Sequence, residues 1–251
     1  MLFGLMVHEI DDFDVPDFAA EAGTFGQQRY GFAVTPNVDH LIRYHDDPVF
    51  RDYYRAARYI LMDSRFASRL VRLFKGPALR VCTGSDLTAI LFKKVITPAD
   101  RILVVGGTPE QAQTLVKEYG LRNLQHYNPP MGFIRDPAAV AACLKFIEDR
   151  SPFRFCFLAI GSPQQEAIAY ALQQRGRSCG LALCVGASLN FITGTEHRAP
   201  LWMQRSGIEW LYRLLQDPRR LGRRYLIRGP RFFAHLFRSE FVQRRRTQGQ
   251  E

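Results

Sequence analysis

Five times along the chain an apolar run stops at a small or polar residue and an amphipathic stretch follows. The runs end at Thr35 (from Tyr30), Asp63 (from Tyr59), Gly106 and Gly107 (from Arg101), Gly161 (from Phe155) and Gly186 (from Leu181). An unbroken apolar run is what a strand buried on both faces requires, and strands that alternate with helices build a parallel sheet. The fold class implied is α/β, a Rossmann-like and mainly parallel sheet flanked by helices. The carboxyl ends of its strands share one edge, and ligands of open sheets bind beyond that edge.

The pattern divides the 251 residues into an acidic, weakly patterned arm over 1–25, an α/β catalytic domain over 26–197 and a basic helical appendage over 198–251. The arm reads as mobile or as an edge strand. In the appendage one helix is expected from Ser206 to Gln216, a second from Pro218 to Ile227, and a third after Gly229 and Pro230. The third carries Phe232, Phe233, Leu236, Phe237 and Phe241 on one face, among arginines that include Arg219, Arg223, Arg231 and Arg244. Aromatic residues beside clustered arginine suit a helix lying on an anionic bilayer. Packing on the sheet or on another subunit explains the same pattern equally well, so a homo-oligomer stays open. The net charge of +10 calls for an acidic partner. Nucleic acid is not the expected one, because the arginines follow no recognisable binding module.

No run of about 18 apolar residues occurs and no secretory signal is readable, so a soluble or peripheral protein is expected. Cys82, Cys143, Cys156, Cys179 and Cys184 form no Cys-x-x-Cys pair and fit buried thiols in a reducing cytosol. No His, Cys, Asp or Glu set has metal-ligand spacing, and neither a metal nor another cofactor is expected. A nucleophile elbow, a lysine-bearing P-loop and a dinucleotide fingerprint are all missing, which disfavours a hydrolase triad, ATP hydrolysis and a nicotinamide oxidoreductase.

Asp63 is the sharpest candidate for a catalytic group. It emerges from a buried strand, where a carboxylate is costly unless solvated or engaged. Capping of the helix from Arg65 to Leu73 is its bland alternative. Gly106, Gly107 and Thr108 can present backbone N–H groups to a phosphate or simply turn the chain. Gly161, Ser162, Pro163, Gln164, Gln165 and Glu166 place an amide and a carboxylate at a helix start, for sugar, base or capping. Thr83, Gly84, Ser85 and Asp86 offer two hydroxyls and a carboxylate around a glycine, with the same two readings.

These segments, with Thr35-Pro-Asn37, Gly186-Ala187, Arg198-Ala-Pro-Leu-Trp202, Gly207-Ile-Glu-Trp-Leu-Tyr-Arg213 and Asp217-Pro-Arg-Arg220, resemble the WecG/TagA/CpsF family of bacterial glycosyltransferases from about residue 30 to 233. The resemblance implies inverting, metal-independent transfer of a sugar from a UDP-sugar to a polyprenyl-diphosphate-linked acceptor, in surface or exopolysaccharide synthesis. It implies a cytoplasmic enzyme, peripheral on the inner face of the plasma membrane and docked by its tail. By position, Asp63 matches the family's catalytic base, Thr35 and Asn37 its substrate-site Thr-x-Asn, and Gln165 and Glu166 its Gln-Glu pair. Three positions depart from the family pattern: Gln164 stands for a lysine, Asn190 for an aspartate, and Val81 for an arginine that is shifted to Arg80. The donor is accordingly an N-acetylmannosamine-type sugar or another hexose or uronic acid. A non-enzymatic nucleotide- or nucleic-acid-binding module is the alternative reading.

Overall fold

The structure, a computed structural model, describes residues 11–24, 29–73, 79–216, 218 and 222. Six strands form its centre: β1 (Tyr30–Val34), β2 (Tyr59–Ile60), β3 (Arg101–Val105), β4 (Asn123–Tyr127), β5 (Phe155–Leu158) and β6 (Gly180–Cys184). They lie in the order β2-β1-β6-β5-β3-β4, and every neighbouring pair is parallel. All five apolar runs appear as strands. The sixth, β4, is a half-exposed edge strand whose Asn, Gln and His residues hide it from an apolar pattern.

Alternate residues of each strand point to opposite sides, so a sheet covered on both faces needs apolar side chains at every position. One face carries Phe32, Val34, Leu103, Val105, Cys156, Leu158, Ala182 and Cys184. It is covered by α2 (Val38–Asp46), α3 (Pro48–Ala56), α4 (Arg65–Leu73), α7 (Pro137–Glu148) and α8 (Gln164–Arg175). The other carries Ala33, Ile102, Val104, Phe155, Phe157, Leu181 and Leu183. Its cover is α1 (Val15–Thr24), α5 (Gly84–Ile90), which runs into a π turn, α6 (Pro109–Tyr119) and α9 (Ser188–Ile192).

Local signals set several helix starts. Thr108 caps α6 in a reciprocal box with Gln111, ahead of Pro109 at the first helical position. Asn37 caps α2 and Asp47 caps α3.

The acidic N-terminal stretch behaves differently from a mobile arm over its described part. Val15, Phe18, Ala19 and Ala22 recur at the i, i+3, i+4, i+7 spacing of one helical face, and that face is buried. Asp11 ahead of the helix pairs with edge strand β2: its N–H donates to the Ile60 carbonyl at 2.9 Å, and its carboxylate accepts from the Ile60 N–H at 2.7 Å.

Past the sheet, α10 (Leu201–Ser206) and α11 (Glu209–Gln216) replace the one helix expected from Ser206 to Gln216. Gly207 ends α10 in the left-handed conformation, φ 73°, and so separates the two. The appendage begins against α4: Arg69 donates to the Ser206 carbonyl at 2.5 Å, and Phe66 meets Trp210 edge to face. Apart from Pro218 and Gly222, the two further helices expected, with the arginine and phenylalanine stripe, lie outside the described residues. Among the described residues no helix is long and apolar enough to cross a membrane.

Phe18 tests the place of α1 in the core. Phe18→Ala is expected to lower unfolding free energy by roughly 3–5 kcal/mol, read from the urea midpoint, whereas truncation on a mobile arm would leave it within about 0.5 kcal/mol.

Candidate active site

Because all strands are parallel, the ends of β1, β3, β5 and β6 and the chain leaving β2 meet on one rim. The helix after β1 lies on one face of the sheet and the helix after neighbouring β6 lies on the other. Loops therefore diverge between these two strands and leave a crevice at their carboxyl ends.

Hydrogen bonds stitch the rim together. Thr35 Oγ1 donates to the Cys184 carbonyl at 3.0 Å, joining β1 to β6. The Gly186 N–H donates to Gln165 Oε1 at 2.9 Å, joining β6 to the loop before α8. Gln111 Nε2 donates to Asn190 Oδ1 at 2.9 Å and to Thr195 Oγ1 at 3.0 Å, joining the first turn of α6 to α9 and the chain beyond it. Gly84 closes the set. A methyl there would stand 3.0 Å from Ser188 Oγ and 3.3 Å from Thr35 Oγ1, so the missing side chain lets the turn sit directly over the mouth.

Asp63 occupies the rim beside β1. Its N–H donates to the Pro36 carbonyl at 2.8 Å, which sets it against the Thr35 to Asn37 turn. The helix-capping alternative falls to its neighbour: Ser64 Oγ accepts from the Ala67 N–H at 3.1 Å. Asn37 takes the opposite course, its Oδ1 accepting from the N–H groups of Asp39 and His40 at 3.1 and 3.4 Å. Thr83 likewise caps α5, accepting from the Asp86 N–H at 3.1 Å. Ser85 lies half-buried in the first turn of α5.

Asp86 is an ion-pair partner. Arg198 Nη1 donates to its Oδ1, and Arg65 Nη2 stands 3.4 Å from its Oδ2. Burial alone would raise the Asp86 pKa, but the hydrogen bond and charge of Arg198, with help from Thr83 and Arg65, outweigh it and hold the carboxyl below its ordinary range.

The glycine loops differ in what they offer. Gly106 donates its N–H to the Tyr127 carbonyl at 2.8 Å, and Thr108 donates its own to Gln111 Oε1 at 2.9 Å. Two of the three N–H donors expected for a phosphate are thus used within the protein. Gly106 turns at φ 93°, and a methyl there would sit 2.6 Å from the Ala159 carbonyl oxygen, so the residue answers a steric need. Gly107 approaches Gln111 in the same way. Gly161 turns at φ 77° with open space where a side chain would be.

Beneath the rim sits Glu166, fully buried. Its Oε1 accepts from Gln165 Nε2 at 2.9 Å, while its Oε2 meets no hydrogen-bond partner. Desolvation pushes its pKa up, against the opposing pull of Gln165, its own N–H, Ser162 and Arg43. Nearby, Tyr54 and His40 share a buried hydrogen bond of 3.1 Å between hydroxyl and Nδ1.

The positions that depart from the family pattern have definite partners. Gln164, with its amide nitrogen facing inward, donates to the Gly161 and Ser162 carbonyls at 3.1 and 3.3 Å. Asn190 accepts from Gln111 and donates to Glu196 Oε1 at 2.9 Å. Arg80 turns away to the N-terminal segment, 2.9 Å from Asp17 and 3.5 Å from Asp12. Sequence reasoning missed Gln111, Ser188 and Arg198 as rim residues. Only the Arg-Ala-Pro block hinted at the last of them.

Among the described residues no group of three or more His, Cys, Asp or Glu is placed to hold a metal ion. Cys82, Cys143, Cys156 and Cys184 are buried and Cys179 half-buried, all as free thiols.

A carboxyl whose pKa is raised by folding keeps its proton in the folded state after the unfolded chain has lost it. Its contribution is complete below the ordinary glutamate range and lost as pH rises through the raised value. Glu166→Gln removes that loss. Its urea midpoint is expected to gain on the parent as pH goes from about 5 to about 8, and a difference independent of pH would show that Glu166 ionises as freely folded as unfolded.

A parallel sheet with a polar crevice at its strand tips, a carboxylate on the rim and a cation pair beside it suits group transfer from an activated donor. The family model for WecG/TagA/CpsF glycosyl transferases matches residues 2–246, so the chain belongs to this glycosyltransferase family.

Proposed function

We propose that the chain is an inverting glycosyltransferase that moves a sugar of N-acetylmannosamine type, or another hexose or uronic acid, from UDP to a polyprenyl-diphosphate-linked acceptor in surface or exopolysaccharide synthesis. One observation carries this reading: Asp63 stands at the rim against the Thr35 to Asn37 turn while Ser64 takes the capping duty at α4. Its carboxylate is the base that removes the proton of the acceptor hydroxyl. The acceptor oxygen then forms its bond to the anomeric carbon as the bond to the β-phosphate oxygen breaks, and UDP departs with the electron pair. A nucleotide diphosphate leaves as a stable anion, so one carboxylate suffices where glycosidases need two. Stabilisation of the departing charge falls to arginine, whose planar fork pairs with phosphate, and no metal is called for.

The appendage supplies the membrane contact. It starts on α4, the helix that follows Asp63, so a lipid-bound tail brings the acceptor to the rim. In this reading the enzyme works on the inner face of the plasma membrane.

Asp63→Asn is expected to slow transfer by on the order of 100-fold or more while UDP affinity is retained. UDP release from a panel of UDP-sugars, with a lipid-diphosphate acceptor present, measures it, and near-full activity in the variant would remove Asp63 from the role. Vesicles containing anionic lipid are expected to retain the full-length protein at low salt and release it as salt rises, with no matching retention on oligonucleotides. Retention on oligonucleotides alone would favour a nucleic-acid-binding module.

A further inference from the structure

Arg198 carries an unmet demand. Its Nη1 is held by Asp86, yet its Nε and Nη2 are shielded from solvent and have no hydrogen-bond partner. Buried charged N–H groups without acceptors are costly, and an acceptor supplied by a bound ion or ligand would relieve that cost. The two unmet donors form one edge of the guanidinium. That edge presents two parallel N–H bonds, the geometry that matches two oxygens of a single phosphate or carboxylate.

The surroundings select an anion. Asp86 lies between Arg198 and Arg65, so one carboxylate faces two guanidinium groups. Arg80 is not one of them, being neutralised by Asp12 and Asp17. The position is on the rim as well: Asp86 is two residues from Gly84, which packs against Thr35 and Ser188 at the mouth between β1 and β6. The Cys82 N–H donates to the Met62 carbonyl at 2.9 Å, which sets the chain leading into Asp86 beside the chain leading into Asp63. A phosphate on Arg198 therefore lies on the side of the crevice where the proton is removed. In a UDP-sugar the phosphate nearest the reacting carbon is the β-phosphate.

We propose that Arg198 grips the β-phosphate of the departing UDP through its Nε and Nη2 edge, and that Asp86, braced by Arg65, is the positioning residue that sets this edge. The inference rests on the glycosyl-transfer reading and adds to it the group that receives the leaving charge. Asp86 is thereby reassigned from a sugar ligand to a support for the arginine.

Calorimetric titration of the full chain with UDP and with UMP tests it. For Arg198→Gln the expected result is UDP affinity reduced roughly 10- to 100-fold with UMP affinity within about twofold of the parent. Arg198→Lys keeps the charge without the fork and is expected to fall between, Asp86→Asn to lose a smaller factor, and Arg80→Gln to match the parent. Unchanged UDP affinity in the folded Arg198→Gln or Arg198→Lys protein would overturn the proposal, as would equal losses for UDP and UMP. If Arg198→Gln fails to fold, the UDP and UMP comparison on Arg198→Lys decides. A parent protein that binds no UDP would overturn this inference together with the reading beneath it, whereas a parent that binds UDP as well as its Arg198 variants do would overturn the inference alone.

Discussion

The pairing of β1 with β6 is the interaction on which the rest of the molecule depends. The two strands run in register from Tyr30 opposite Gly180 to Val34 opposite Cys184, although about 150 residues of chain separate them. β6 is the last strand made and enters between β1 and β5, joining the β2-β1 pair to the β5-β3-β4 group. Every residue of β6 is buried, so its insertion supplies apolar area to both faces at once. Without it the sheet is two fragments. The rim would be two fragments as well, since the Thr35 to Cys184 and Gly186 to Gln165 bonds both cross lines that only β6 creates.

Such a sheet was largely legible in the sequence because double-sided burial forces a continuous apolar run. Elements that escape that force escaped notice. β4 has one neighbour and lies half in solvent, so Gln125 and His126 are tolerated and no apolar signal remains. α1 carries its buried positions at helical spacing, but Asp14, Asp17 and Glu21 dominate the composition of a short segment and mask them. The break at Gly207 was visible as a residue type only, since glycine inside a helical pattern marks a cap or a tolerated substitution with equal ease.

The rim was legible as a set and ambiguous in its roles. Capping a helix and binding a sugar recruit the same short polar side chains, and the sequence position at a strand tip is common to both. Geometry divides them. Thr83 and Asn37 direct an oxygen into their own helices, and Ser64 does the same for the helix that follows Asp63. Partnerships over long sequence separations were beyond any local pattern: Asp86 meets Arg198 across 112 residues, and Gln111 meets Asn190 across 79.

The substitutions at the family's charged positions fit one physical scheme. At Asn190 an aspartate would face the Glu196 carboxylate, a like-charge contact that the amide converts into a donated hydrogen bond of 2.9 Å. Gln111, Thr193 and Thr195 extend that corner as a network of amides and hydroxyls. Gln164, in place of a lysine, spends its amide on its own loop. Gln164 thus leaves the start of α8 without a cation, while Arg65 and Arg198 meet on Asp86.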